Sequence, residues 1–507
     1  MRWILRRVRV IGLPILLGAL IVTLTLNEAP GAAHSSAASP PRNRAATPAP
    51  APGTAVRPNI LFVLTDDLTS NLLRYMPNVQ RMRQQGVSFS KYFVVDSQCC
   101  PSRAAILTGR YPHNTGVFRN TGSNGGYRAF DAHHNAARTY GLALQHAGYA
   151  TGFMGKYLNG YQPNDGVPRG WDEWDVAGGG YREYGYQLNE NGAVRYQGYR
   201  PRAYLTDVLS RKASAFITRN ARRERPFALE IAPFSPHLPA TAAPRDVDRY
   251  RSASAPRGPA WNRLPTRAPR WLASLPALSR ESGRAIRTVY RHRAEAVLSV
   301  DRMIGHLRRL LDGLGIADNT YVVFSSDNGF HLGQYRLRPG KLTAFDADIR
   351  VPLVVTGPGV PAVRTISAMT ASIDLAPTFA RIGHTALPAA GDGRSMLRLW
   401  HGRVPRTWPR AVLVEHYGKP LRIGDPDYQR RGSGRPPTYE AIRTANALYV
   451  EYHDGEREYY DLRTDPFELH NTVSTTPPTA LARLRTALHR LKGCSGATAC
   501  RSAARVG

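Results

Sequence analysis

Two residue types are scarce in this chain, and each scarcity narrows what the protein can be. There are four cysteines in 507 residues, and two of them, Cys99 and Cys100, are neighbours. Adjacent cysteines cannot easily bridge without straining the peptide between them, so the pair has some other use. Lysine is nearly absent: only Lys91, Lys156, Lys212, Lys341, Lys419 and Lys492 interrupt a set of 68 basic residues that is otherwise arginine. Against 37 acidic residues this leaves a formal charge of +31, which invites a polyanion-binding reading. No RNA- or DNA-binding motif accompanies that charge. The arginine bias, with 39 prolines and abundant alanine, reads as a coding habit spread over the surface. Nucleic acid is therefore not expected as a partner.

The long uncharged apolar run is Val10–Leu26, behind a basic "MRWILRRVRV" and ahead of small residues at "PGAAH". Residues 1–33 read as a secretory signal, or as an uncleaved N-terminal anchor. Residues 34–58 are rich in Ala, Pro and Ser without apolar periodicity, and read as a disordered linker. The chain is thus expected outside the cytoplasm, touching a membrane only if the leader is retained. Export permits disulfides, and Cys494 and Cys500, in "CSGATAC", are a reasonable pair. Cys99 and Cys100 are left over.

Folding is expected to begin near Asn59. Four short apolar runs then recur: "NILFVLTDD", "ATGFMGK", "PFALEIAPFSPHLP" and "NTYVVFSSDNG". Apart from Glu230 none carries a charge near its middle, as expected of strands buried on both faces. Helical segments lie between them at Thr139–Ala147, Tyr204–Arg219 and Tyr290–Leu311. Strands alternating with helices predict an α/β fold with a large, mostly parallel sheet flanked by helices. In such sheets ligands bind outside the carboxyl ends of the strands. The four runs deliver Asp66 and Asp67, Lys156, His237, and Asp327 and Asn328 to that edge.

From about Ala411 the pattern changes to short alternating strands followed by a helix, Thr479–Leu491. This predicts a smaller C-terminal antiparallel sheet plus helix. The chain divides accordingly into a main domain over 59–400 and a C-terminal subdomain over 401–507. The segment Pro244–Ser279, rich in Arg and Pro, is too irregular for a simple connection. It reads as a lid or rim over the site, or as a disordered insertion.

Asp66, Asp67, Asp327 and Asn328 are hard oxygen donors with no cysteine or histidine among them, a set that suits Ca²⁺ or Mg²⁺ rather than Zn²⁺. Pro101 suits the first position of a helix that "SRAAILTG" carries to Gly109. Residues just before it sit where free N–H groups favour an anion, with Arg103 on the first turn. Lys156 and Lys341 stand out in a chain that writes arginine for nearly every cation. A compact ammonium bridges and donates protons where a guanidinium cannot.

At these residues the chain resembles the sulfatase family. "CCPSRAAILTG" fits the signature C-x-P-S-R-x-x-x-L-T-G, and "TDD", "GKYLNG", "PHLP", "SSDNGFHLGQ", "GK…FDADIRVPLVV" and "YYDLRTDPFELHN" follow in the family's order, over about residues 58–470. "CCPSR", "GRYPHN", "GKYLNG" and "FDADIRVP" look most like its N-acetylglucosamine-6-sulfatase branch. The resemblance implies an alkaline-phosphatase-like fold and hydrolysis of sulfate esters, on a sulfated small molecule or glycan. It implies that Cys99, two places before Pro101, is oxidised to formylglycine by a separate formylglycine-generating enzyme, while Cys100 fills a variable position. One hydroxyl of the hydrated aldehyde would attack sulfur, and deprotonation of the second would expel sulfate. It further implies one Ca²⁺ held by Asp66, Asp67, Cys99, Asp327 and Asn328. Arg103 would hold the hydrate, and Lys156, Lys341 and His237 would contact the sulfate or the leaving oxygen. Many sulfatases have histidine two residues after the motif lysine, where Leu158 stands here, leaving His237 or Lys341 as proton donor.

Two other readings follow from the same residues. A phosphoester or phosphonate hydrolase of the same superfamily would share the fold and most ligands. A catalytically idle, basic glycan-binding protein would keep Cys99 unmodified and release no sulfate.

Overall fold

A computed structural model describes residues 57–418, 425, 427–429 and 432–506. The leader read over 1–33 lies outside these residues, as does the linker over 34–58 up to residue 56. Among the described residues no helix is long and apolar enough to cross a membrane.

Five parallel strands form the middle of a ten-stranded sheet, in the order Thr320–Ser326, Asn59–Thr65, Phe227–Ala232, Ala150–Gly155, Glu173–Gly178. The first four are the apolar runs read from the sequence, and every residue in them is buried. Helices on both faces demand this, because a strand covered twice has no side for polar residues. Glu230 is the exception. Burial pushes its carboxyl up to about 7, opposed by the hydrogen bond that the Tyr140 hydroxyl donates to it. The sheet is mixed only at its margins. Leu353–Thr356 runs antiparallel beside Thr320–Ser326, and the hairpin Tyr186–Glu190/Ala193–Gln197 closes the opposite edge.

Helices fall where expected, with displaced ends. Tyr140–His146 is capped by Thr139, and Leu205–Arg222 lies in the expected region. The helix expected over Tyr290–Leu311 spans Arg280–Gly313, capped by Ser279, whose hydroxyl accepts from the Ser282 N–H at 3.1 Å. Its first turns are mostly exposed and polar, so they carry little apolar period to read. The helix expected to start at Pro101 starts at Cys99, with Gln98 as N-cap. Both cysteines therefore belong to its first turn.

The four strands Ala411–His416, Tyr439–Thr444, Ala447–Tyr452 and Arg457–Asp461 form an antiparallel sheet, with the helix Pro478–Lys492 beyond them. Cys494 and Cys500 are joined, S–S 2.03 Å, and Cys99 and Cys100 are free. The Glu415 N–H bonds the Val95 carbonyl at 2.9 Å, tying the small sheet to the segment that leads into Cys99. The segment Pro244–Ser279 packs against the rest of the chain and is not a disordered insertion. Trp261 rests on Gly333, where a Cβ would come within 2.2 Å of the indole, and Thr266 donates to the Leu469 carbonyl at 2.8 Å.

Candidate active site

Asp66 and Asp67 end the strand Asn59–Thr65. Successive residues of an extended strand would point to opposite faces, but Asp67 has φ of 64°. That left-handed turn, uncommon outside glycine, brings both carboxylates to one place. The Arg293 guanidinium, buried on the long helix, holds the turn by donating to the Asp67 carbonyl. Asp327 and Asn328 follow the adjacent parallel strand, and the Asp67 N–H reaches Asp327 Oδ1 at 3.2 Å.

All nine residues singled out in the sequence converge here, none more than 3 % exposed. Cys99 Sγ lies 3.2 Å from Asp66 Oδ1 and accepts from Lys341 Nζ at 2.8 Å. Lys156 Nζ meets Asp66 Oδ2 at 2.5 Å, and Lys341 Nζ meets Asp67 Oδ1 at 2.7 Å. Arg103 spends Nε on Asp327 Oδ2 at 2.8 Å and Nη1 on the Lys156 carbonyl at 2.8 Å, leaving Nη2 buried without a partner. His237 Nδ1 faces the Leu238 carbonyl at 2.7 Å, while Nε2 stands 3.6 Å from Asp67 Oδ2.

One functional group was missed. Asp427, from the C-terminal part of the chain, is buried among these cations: its Oδ1 lies 2.6 Å from His237 Nε2 and 2.7 Å from Lys341 Nζ. Asn120 and Asn159 donate to its other oxygen. Asn159 comes from the quoted "GKYLNG", but nothing in "IGDPDYQRR" or "FRNTG" marks Asp427 or Asn120. Leu158 is 4 % exposed and packed in the apolar core, so the position two after Lys156 offers no proton.

Burial costs each ion several kcal/mol in isolation, and here the charges offset one another. Burial opposes the Lys156 and Lys341 ammoniums, yet Asp66 holds the first, and Asp427 and Asp67 the second, well above the usual lysine range. Burial opposes the His237 imidazolium too, but Asp66, Asp67 and Asp427 raise its pKa. Burial would raise the Asp427 carboxyl, and Lys341 and His237 hold it well below its usual range. The Cys99 thiol is pushed well above its ordinary value by burial, then by Asp427 and Asp66. Cysteines that act as thiolates are depressed instead. As an unmodified thiol, Cys99 is poorly suited to attack.

The carboxylates suit a hard cation, although His237 stands inside the group whose ligand atoms close on one point and Asp327 stands outside it. Ligand atoms of Asp66, Asp67, Cys99 and His237 lie within 4.8 Å of one another. Asn328 donates through Nδ2 to Asp67 Oδ1 at 2.6 Å, while its Oδ1 is buried with no hydrogen-bond partner. An orphaned carbonyl oxygen beside two carboxylates is what an oxygen-seeking metal satisfies. A cavity of about 600 Å³ is lined by Asp67, His237 and Lys341 together with Ile286, Val289, Arg338 and Gln429. That volume suits a small organic ligand.

Buried cations, oxygen donors and a cysteine at a helix start thus meet at the carboxyl ends of a parallel sheet, where ligands of such folds bind. The family model Sulfatase matches residues 58–384, and that described as N-sulphoglucosamine sulphohydrolase, C-terminal, matches 339–493. N-acetylglucosamine-6-sulfatase of Homo sapiens is 34% identical over 480 residues, 88% of this chain and 86% of that protein. A solved structure of a protein in complex with its substrate D-glucosamine-2-N,6-O-disulfate superposes with a TM-score of 0.71 at 23% identity, covering 86% of this chain and 97% of the other. The phosphonate monoester hydrolase of Agrobacterium radiobacter superposes with a TM-score of 0.66 at 21% identity, over 86% and 96%. The chain belongs to the sulfatase family. It is an enzyme of the class that hydrolyses sulfuric ester bonds, on an alkaline-phosphatase-like fold.

Proposed function

We propose that the protein removes sulfate from a sulfated sugar or glycan outside the cytoplasm, using a formylglycine made from Cys99 and a Ca²⁺ held by Asp66, Asp67, Cys99, Asp327 and Asn328. The observation that carries the reading is Cys99 itself. It lies in the complete sulfatase signature, buried between Asp66 and Lys341, and Lys341 in turn lines a cavity of about 600 Å³. The relative in Homo sapiens and the glucosamine-disulfate complex support a sulfated amino sugar as substrate. The Cys494–Cys500 bridge supports export. Maturation requires a formylglycine-generating enzyme as partner.

The hydrated aldehyde would supply a hydroxyl for attack on sulfur and a second whose deprotonation releases sulfate. Ca²⁺, when bound, would supply Lewis-acid polarisation of the oxygens around it. The chain's own groups do the rest. Lys341 and Lys156 place fixed positive charge where the sulfate oxygens gain it, with no reorganisation needed at the moment of reaction. Arg103 Nη2, the donor without a partner, points the hydrate. His237, facing acceptors at both ring nitrogens, carries the proton for the leaving alcohol.

Sulfate release across sulfated monosaccharides, glycosaminoglycan fragments and aryl sulfates, with an aryl phosphate and a phosphonate ester alongside, tests the reading. The expected result is turnover of a 6-sulfated amino sugar well above that of either phosphorus ester. Preference for the phosphonate would favour the second reading, which the Agrobacterium radiobacter neighbour keeps open. Exhaustive chelation is expected to abolish turnover and lower the melting temperature, with Ca²⁺ restoring both better than Zn²⁺. Full activity in the chelated enzyme would remove the metal from the reaction.

A further inference from the structure

Asp427 is bonded as an anionic ligand would be, although it belongs to the chain. Its Oδ1 takes His237 Nε2 at 2.6 Å and Lys341 Nζ at 2.7 Å; its Oδ2 takes Asn159 Nδ2 at 3.2 Å and Asn120 Nδ2. Four donors from four separate stretches of chain thus converge on one carboxylate. Two of them are oriented independently of it. The Cys100 N–H donates to Asn120 Oδ1 at 3.0 Å, which turns the Asn120 amide so that Nδ2 faces inward. His237 Nδ1 faces the Leu238 carbonyl at 2.7 Å, which aims Nε2 at the same point. The donors therefore form a cradle aimed at one anion position.

The donors also line two cavities. One, of about 600 Å³, is lined by His237, Lys341 and Asp427; the other, of about 390 Å³, by Lys156, Asn159 and Asp425. Asp427 lines the first and bonds donors that line both. Both oxygens of Asp427 are accounted for by N–H donors.

We infer that Asp427 is an internal counter-anion occupying the place of the substrate's sulfate, and that Asn120 and Asn159 belong with Lys341 and His237 to the set that binds it. The inference rests on the sulfatase reading above and deepens it. A sulfate monoester carries one negative charge, as the carboxylate does, so the exchange conserves charge in the buried site. Asp427 also gives the buried Lys341 and His237 a second carboxylate beside Asp67 in the free enzyme, offsetting the cost of burying both cations. The consequence is weaker affinity: sulfate competes with a tethered anion already holding its donors.

The test is the affinity of the full-length protein for inorganic sulfate, measured by calorimetry, with KM for an aryl sulfate beside it. Asp427→Asn keeps the shape and removes the charge, and is expected to bind sulfate at least about tenfold more tightly, with a lower KM. Adding Asn120→Ala to that variant is expected to weaken sulfate binding again. Asp427→Gly provides a second arm should the asparagine variant fold poorly. Acetate, a free carboxylate, is expected to compete with sulfate in Asp427→Gly and not in the unaltered protein. Unchanged or weaker sulfate binding in both variants, with kcat reduced, would overturn the inference and make Asp427 a positioning residue for Lys341 and His237. A protein that binds sulfate as expected but hydrolyses no sulfate ester would instead sink the proposed reaction, leaving the anion site standing.

Discussion

Replacing Cys99 by serine is expected to leave a protein that reacts once with a sulfate ester and then stops. A serine hydroxyl at this position would keep the neighbours of the thiol, Asp66 Oδ1 at 3.2 Å and Lys341 Nζ at 2.8 Å, so attack on sulfur stays within reach. It has no second hydroxyl, and the sulfated form cannot collapse to an aldehyde. Mass spectrometry of the peptide that begins after Lys91 should show a stable sulfate ester on residue 99. Cys99→Ala should lose both aldehyde and turnover while melting normally, since the site keeps its other ion pairs. Cys100 is also buried, its thiol pushed up to about 12 chiefly by burial. Cys100→Thr is nevertheless expected to keep the aldehyde and most activity, because the modification is read by spacing to Pro101 and Arg103. Steady turnover by Cys99→Ser, or an aldehyde found on residue 100, would refute the mechanism.

The second large effect is expected at the lysines. Lys341 Nζ makes three short contacts: Asp67 Oδ1 at 2.7 Å, Asp427 Oδ1 at 2.7 Å and Cys99 Sγ at 2.8 Å. An ammonium has three N–H groups in a tetrahedral spread, and this one spends all three. A guanidinium is flat, larger and forked, so it cannot reach three acceptors disposed around one point. Lys341→Arg is expected to lower kcat by about 10²-fold or more, although charge is preserved. Lys156 meets Asp66 Oδ2 at 2.5 Å and lies 5.1 Å from the centre of the Tyr181 ring. Lys156→Arg should be similarly damaging, because the larger head has to displace that ring or Asp66. Steady-state rates with a melting curve for each variant decide the matter. Near-normal kcat in both would show the two lysines to be incidental to the chemistry.

The sheet was legible because its central strands are buried on both faces, which writes an unbroken apolar run into the sequence. The residues closing each run were legible for the same reason: polar side chains directly after such a run must lie at the sheet's carboxyl edge. Helix ends were less so. The first turns of Arg280–Gly313 face mostly solvent, and exposed turns need no apolar period; the helix around Pro101 begins two residues early although its first turn is buried, because hydrogen bonding and not side-chain pattern sets a helix limit.

The sequence by itself determined the strand ends, and with them Asp66, Asp67, Lys156, His237, Asp327 and Asn328. Its resemblance to the sulfatase signature singled out Cys99, and rarity among arginines singled out Lys341. Only the tertiary structure decided that Asp427 stands among them, that Asn120 turns its amide inward, and that Arg293 holds the backbone of Asp67. These three act from a loop of the C-terminal part, an irregular connection and the middle of a long helix. None of those settings imposes a period or a spacing on its neighbours. Asp427 meets Asn120 across 307 residues and Arg293 meets Asp67 across 226. Contacts at such separation are set by the packing of whole elements, which no local pattern records.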